Sequence, residues 1–372
     1  MHSHTHPTLK HGLIGHSFGI AAPTGDGCAA PRHPSVHPSV VNIPESMTTF
    51  AYVFPGQGSQ AVGMGRALTA ASPAAAAVFN QADEALGEAI STLAWTGPED
   101  QLNRTEHAQP ALLATSIAYL AAAHERASVT GMTLPNPRFF AGHSMGQYSA
   151  MVAASALTLP DGIRLVRERG LRMQASGEGR EGAMAAVIGL DDDAIPELVR
   201  RASAHGVFAV ANRNSPGQVV VSGERAAIEA AADIARDLGA KRAIVLPVSV
   251  AAHSPLMAEA AEAMRGILAS VEFREPTAAL LANADGRAIL DGDGARAELV
   301  EHLTAGVDWV GAVQRMTADG VDTFIEMGPG KVLTNLIKRI APDATAIAMD
   351  DALADNGIDL PILVAADPGD LA

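Results

Sequence analysis

Apolar positions follow two different spacings along the chain, and stretches of each kind alternate. Tyr52-Val53-Phe54 is a short apolar run that stops at Pro55-Gly56, as a buried strand stops at a turn. Ala74 to Leu86 and Ala111 to Ala127 bring apolar residues back every three or four positions, which predicts helices. Phe139-Phe140-Ala141 predicts a second buried strand, followed from about Gln147 by a helix reaching Leu157. Asp161 to Gln174 is helical again. Strands alternating with helices predict the α/β class with a parallel sheet.

From Ala183 onward the pattern has its own order. Ala183 to Leu190 reads as strand, Asp191 to Ala204 as helix and Val207 to Ala211 as strand. Asn214-Ser215-Pro216-Gly217 makes a turn into a strand over Gln218 to Ser222. A helix over Glu224 to Leu238 closes at Gly239, and Arg242 to Val248 is strand. β-α-β-β-α-β is the order of a ferredoxin-like unit. The large domain then resumes with a helix from Ser254 and strands near Ala278 to Leu281 and Thr323 to Glu326. The expected organisation is a large α/β domain in two parts, 47–180 and 250–349, around a small ferredoxin-like domain, 181–249.

The two ends break these patterns. Residues 1–46 hold seven of the thirteen histidines and six of the 22 prolines, with no apolar period, and are read as a disordered leader. Phe18 to Ala22 is too short and glycine-broken for the apolar core of a signal peptide, so Met47 is a candidate start. His2, His4 and His6 could bind a metal adventitiously. The tail, 350–372, has six aspartates and no basic residue.

Net charge is −15; the leader is neutral and the tail −6, so the span between carries −9. That argues against binding nucleic acid by phosphate neutralisation. Cys28 is the single cysteine, which excludes an internal disulfide and a cysteine-ligated zinc site and fits a reducing compartment. The longest charge-free stretch, Phe139 to Pro160, is too polar to lie in lipid. The expectation is a soluble, cytoplasmic protein.

Four elements carry candidate chemistry. Gly142-His143-Ser144-Met145-Gly146 fits the nucleophile elbow, a tight strand-to-helix turn that exposes the serine hydroxyl. Gly15-His16-Ser17-Phe18-Gly19 matches the same pattern, but glycine and proline follow it where a helix is needed, so Ser17 is a decoy. An ordinary β-to-α turn would also account for Ser144. Phe54-Pro55-Gly56-Gln57-Gly58 is a loop whose amides can approach a ligand, or a plain turn. Arg169 lies between Leu165, Val166 and Met173 on the apolar arc of its helix, where a guanidinium needs an anionic partner, structural or bound. His253 stands between a strand and a helix that Ser254 can cap, as active-site bases and many structural histidines do.

Together with Gln109-Pro110-Ala111-Leu112, Arg164 to Gly170, Gly182 to Ala186, Asn214 to Val219, Pro247 to His253 and Glu326 to Lys331, these stretches resemble the malonyl-CoA:acyl carrier protein transacylase family over about Thr48 to Asp350. The resemblance implies Ser144 as nucleophile and His253 as general base and then acid. It implies an oxyanion hole from the backbone amides of Gln57 and Met145. Arg169 would hold the malonyl carboxylate, with Gln109 and Asn212 as further substrate-binding residues. The backbone carbonyl of His302, where relatives often have glutamine, would orient His253 in place of a triad carboxylate.

Gln147 also departs from the family, which often has glutamate there, as does Ala305-Gly306, often Asn-Pro. Val250-Ala251-Ala252-His253 matches neither signature separating malonyl from methylmalonyl selection in polyketide relatives. The implied partners are malonyl-CoA and an acyl carrier protein, with no metal and no cofactor beyond the CoA of the substrate. Lys241, Arg242, Lys338 and Arg339 are candidates for a basic rim facing the acidic carrier. A serine hydrolase or thioesterase, the acyltransferase subunit of a malonate decarboxylase and a silent carrier-binding module are the competing readings.

Overall fold

The computed structural model describes residues 48–177, 181–248, 250–354 and 362–365. The leader, with Ser17 and the amino-terminal histidines, and most of the tail lie outside them.

The larger sheet has the order Thr345–Ala348, Thr323–Glu326, Phe50–Phe54, Phe139–Gly142, Ala279–Leu281, Ala288–Ile289. The first five strands are parallel and the last pairs antiparallel. Successive side chains point to opposite faces, so Phe50–Phe54 serves two cores. Tyr52 and Phe54 join Phe140 and Ile325 on one face, while Ala51 and Val53 join Phe139, Ala141 and Phe324 on the other. Burial on both faces is why these strands read as unbroken apolar runs.

The helix Thr105–Val129 is buried around nearly its whole circumference in its first half. It starts six residues before the expected Ala111. Pro110 lies in its second turn, where the missing N–H deprives one carbonyl, that of Glu106, of its partner. The helix Leu159–Ser176 buries one face, Ile163, Leu165, Val166, Arg169, Gly170 and Met173, and Thr158 caps it by accepting from the Asp161 N–H at 3.2 Å. At Gly170 the two helices nearly meet: a Cβ there would lie 2.6 Å from the Glu106 Cα. This approach brings Arg169 beside Gln109.

The second sheet has the order Val307–Asp308, Phe208–Ser215, Gln218–Glu224, Gly182–Ile188, Arg242–Val245. Its last four strands are antiparallel, with helices Ile195–Ala202 and Arg225–Asp237 joining them in β-α-β-β-α-β sequence. Both sheets belong to one compact unit of the chain.

Several boundaries differ from the sequence reading. The helix after the elbow is Gly146–Ala153, not extended to Leu157. Ser155 takes φ 61°, and the N–H groups of Ala156 and Leu157 both return to the Met151 carbonyl, which ends the helix. The first helix of the second sheet is an α-helix only from Ile195, after a 3-10 turn Asp192–Ala194. The strand from Gln218 runs on to Glu224, and that from Arg242 stops at Val245.

The first residues of the acidic tail are ordered against the large sheet's helices. Met349–Ala354 is a helix, and Asp350 accepts from the Tyr119 hydroxyl and, at 2.8 Å, from the Gly330 N–H. Val364–Ala365 pairs with Met132–Thr133. No helix of the described residues is long and apolar enough to cross a membrane.

Candidate active site

The site lies where the two central parallel strands, Phe50–Phe54 and Phe139–Gly142, end side by side, at the carboxyl edge where open α/β sheets bind ligands. The elbow after Phe139–Gly142 is tight. Ser144 has φ 55°, a left-handed conformation that costs a non-glycine residue about 1–3 kcal/mol. Gly142 and Gly146 make the turn sterically feasible. A Cβ on Gly142 would lie 2.0 Å from the Gly146 carbonyl carbon, and one on Gly146 would lie 2.2 Å from the Phe54 carbonyl oxygen. Gly146→Ala is therefore expected to cost about 3 kcal/mol of stability, read as a lower denaturant midpoint at an unchanged m-value.

Side chains that the sequence reading did not single out as site residues hold the elbow. Asn283 Oδ1 accepts from the Ser144 N–H at 2.8 Å, and the Asn283 N–H donates to buried Glu298 Oε1 at 2.7 Å. Burial raises the Glu298 pKa to about 7. Gln147 accepts from the Gly142 N–H at 3.1 Å and donates to the Leu281 carbonyl at 2.9 Å, a pairing a carboxylate could not complete. His143 points away from the serine, as its position in the turn implies. Its Nε2 lies 2.9 Å from Asn214 Oδ1, on a strand of the second sheet. The Gly-x-Ser-x-Gly spacing marks the elbow itself, whereas nothing in the sequence marks Asn283 or Glu298 as its support.

Ser144 Oγ lies 2.8 Å from His253 Nε2. His253 Nδ1 lies 2.7 Å from the His302 carbonyl and 3.1 Å from that of Ala305. Carbonyls only accept, so the ring proton sits on Nδ1 and Nε2 is free to take the serine proton. His253 is itself strained, with φ 57°. No carboxylate contacts the ring among the described residues.

Arg169 is 1% exposed and has no carboxylate partner among the described residues. Each of the other three arginines on its helix has one: Arg164 with Asp161, Arg167 with Glu88 and Arg172 with Glu168. Arg169 donates instead to neutral acceptors, Gln109 Oε1 at 2.9 Å and Ser144 Oγ at 3.2 Å, and lies 3.3 Å from His302 Nε2. Its Nε is buried without a hydrogen-bond partner among the described residues. A desolvated cation with donors to spare, hydrogen-bonded to the serine hydroxyl, is built to receive an anion.

The remaining sequence-predicted residues divide. The Gln57 and Met145 backbone N–H groups follow the two central strands, and no acceptor takes either among the described residues. Asn212 lies on the Phe208–Ser215 strand and is 7% exposed, but makes no hydrogen bond to this group; Asn214, two residues on, does. No group of three or more His, Cys, Asp or Glu among the described residues could hold a metal ion.

Burial, then the charge of Arg169, pushes the His253 pKa down to about 3, so the ring is neutral throughout the physiological range. With a substrate that carries no group titrating in this range, the kcat/KM of a reaction using His253 as base is expected to stay level from pH 8 to about 5. An acid limb centred near 6.5, the value of an unperturbed histidine, would contradict this. Stability carries the opposite dependence. Below about pH 6.5 the unfolded chain takes up protons that buried His253 and His302 exclude, so each costs about 1.4 kcal/mol per pH unit until its folded pKa is reached. Above 6.5 both states are neutral there and this contribution vanishes.

A serine on a strained elbow, a histidine oriented by carbonyls and a buried unpaired guanidinium define an α/β protein with an acyl-transfer site for an anionic acyl group. The chain belongs to the acyl transferase domain family, which matches residues 51–352. It is 42% identical over 313 residues to the malonyl CoA-acyl carrier protein transacylase of Haemophilus influenzae, covering 84% of this chain and 99% of that one. An acyl-carrier-protein S-malonyltransferase from Bartonella henselae superposes with a TM-score of 0.78 at 41% identity, over 82% of this chain and 96% of that one. A malonyl-transacylase solved with its type II polyketide acyl-carrier protein gives 0.77 at 40% identity, over 81% and 96%.

Proposed function

We propose that this protein transfers a malonyl group from malonyl-CoA to the phosphopantetheine thiol of an acyl carrier protein, through a malonyl ester on Ser144. The observation that carries the reading is Arg169, a buried cation without an anion among the described residues, 3.2 Å from the nucleophile.

His253 Nε2 removes the Ser144 proton as Oγ attacks the thioester carbon. The resulting oxyanion is held by the Gln57 and Met145 amides, which need not reorganise to receive it. The carbon–sulfur bond breaks, and the His253 imidazolium protonates the departing CoA sulfur. The carrier thiol then gives its proton to His253 and attacks the ester, and the same imidazolium returns a proton to Ser144 Oγ as the product thioester forms. The His302 and Ala305 carbonyls favour the imidazolium at each turnover without a triad carboxylate. Arg169 pairs with the malonyl carboxylate through both steps.

CoA enters only as leaving group, so the chemistry asks for no cofactor and no metal, and the reading places the enzyme in the cytoplasm. An acidic carrier would approach past exposed Lys241, Arg242, Lys338 and Arg339; Arg339 donates to Gln218 Oε1 of the second sheet at 3.1 Å. The names of the relatives favour a carrier thiol over water or a decarboxylase carrier as second acceptor.

Initial rates with malonyl-CoA and a holo acyl carrier protein, each varied, test this. Parallel double-reciprocal lines and malonyl-carrier product are expected. Malonate as the main product, formed equally fast without carrier, would replace the transferase reading by a hydrolase.

A further inference from the structure

We propose that the side chain of His302 is a positioning residue that sets acyl specificity, by holding Arg169 with an acceptor that carries no charge. This rests on the reading of Arg169 as partner of the malonyl carboxylate. It is separate from the role of the His302 backbone carbonyl toward His253.

The tautomer follows from the neighbours. His302 Nδ1 lies 3.0 Å from the Glu298 carbonyl, one helical turn back, which can only accept, so Nδ1 carries the proton. Nε2 is then a bare lone pair, and the Arg169 Nη2 donor stands 3.3 Å away. The ring is fully buried, edge-on to Tyr148 at 6.1 Å and 6.2 Å from the His253 ring. Among the described residues Arg169, His253 and Tyr148 are the titratable groups around it; burial pushes the Tyr148 hydroxyl up to about 12, so none carries a negative charge to support a protonated ring. The Glu298 carboxylate is directed to the Asn283 N–H and Arg287.

Arg169 is therefore fixed by Gln109 Oε1, Ser144 Oγ and His302 Nε2, three lone pairs and no anion. That arrangement orients the guanidinium while leaving its charge available to a substrate. An apolar residue at 302 would free Nη2 to swing, and a carboxylate would pair with Arg169 permanently and compete with malonate. His302 caps the helix Gly292–Glu301, so one residue fixes the general base through its main chain and the anion clamp through its side chain. Side-chain substitution separates the two.

The test is the ratio of kcat/KM for malonyl-CoA over acetyl-CoA in the His302→Gln, His302→Glu and His302→Leu enzymes, beside Arg169→Ala. The ratio cancels effects on His253 that fall equally on both acyl groups. Gln, a neutral acceptor, is expected to keep the ratio within threefold of the parent. Leu is expected to lower it about tenfold and Glu about a hundredfold, mainly through KM for malonyl-CoA. Gln and Glu are nearly isosteric, so they separate charge from packing even where Leu does not fold. Equal losses for both acyl groups in all three, or a parental ratio in folded His302→Glu, would overturn the proposal while Arg169→Ala still collapses the ratio. A ratio unmoved by Arg169→Ala would instead remove the clamp itself, and this inference with it.

Discussion

Replacing Arg169 by alanine is expected to lower kcat/KM for malonyl-CoA by about 10²–10³-fold while acetyl-CoA loses much less or gains. A malonyl carboxylate seated beside Ser144 is cut off from water, and among the described residues Arg169 is the only cation within hydrogen-bonding distance of the serine. Removing one partner of such a desolvated pair costs about 2–5 kcal/mol, which spans the stated range. An acetyl group has no charge to compensate, so the same change removes nothing it needs. Arg169→Lys is expected to fall between, because a compact ammonium keeps the charge but lacks the planar fork that pairs bidentately. The change also strips a donor from Gln109 and His302, so a melting curve must accompany the kinetics. Equal losses for malonyl and acetyl thioesters would show that Arg169 supports the fold and does not select the acyl group.

His253→Ala should behave in the opposite way, lowering kcat for both acyl groups by about 10³-fold with little change in preference. General-base catalysis by a positioned side chain is worth about 10²–10⁴-fold, and the serine hydroxyl has no other base within reach among the described residues. Ser144 and His253 act on one proton, so Ser144→Ala/His253→Ala should be no slower than either single variant. Steady-state rates on both thioesters distinguish the two residues: selectivity reports Arg169, turnover reports His253. A His253→Ala enzyme within tenfold of the parent would contradict the assignment.

Much of this site could be read from the chain because local rules fixed it. The elbow needs glycine on both sides of Ser144, and the 2.0 and 2.2 Å separations at Gly142 and Gly146 show why. Arg169 betrayed itself through a 3.6-residue period that placed it among apolar neighbours, and it is buried in that position. The parts that stayed hidden are those made by long-range pairing. Nothing local marks Asn283 as the residue that holds the Ser144 N–H across 139 positions, or Glu298 as its support. Nor does anything local mark Asn214, which sits at the second of two register shifts in its strand, as the residue that meets His143. Nothing in the helical pattern marks Gly170 as the point where its helix meets Glu106 of another. Composition places Asp350 at the start of an acidic tail but does not show that Tyr119 and Gly330 give it a structural role.

The most direct test of the account is intact-protein mass spectrometry after mixing with malonyl-CoA or acetyl-CoA, beside Ser144→Ala. The account predicts a malonyl adduct with malonyl-CoA, absent in Ser144→Ala, much weaker with acetyl-CoA and discharged on adding a holo acyl carrier protein. CoA release without any adduct, or an adduct that persists in Ser144→Ala, would contradict it.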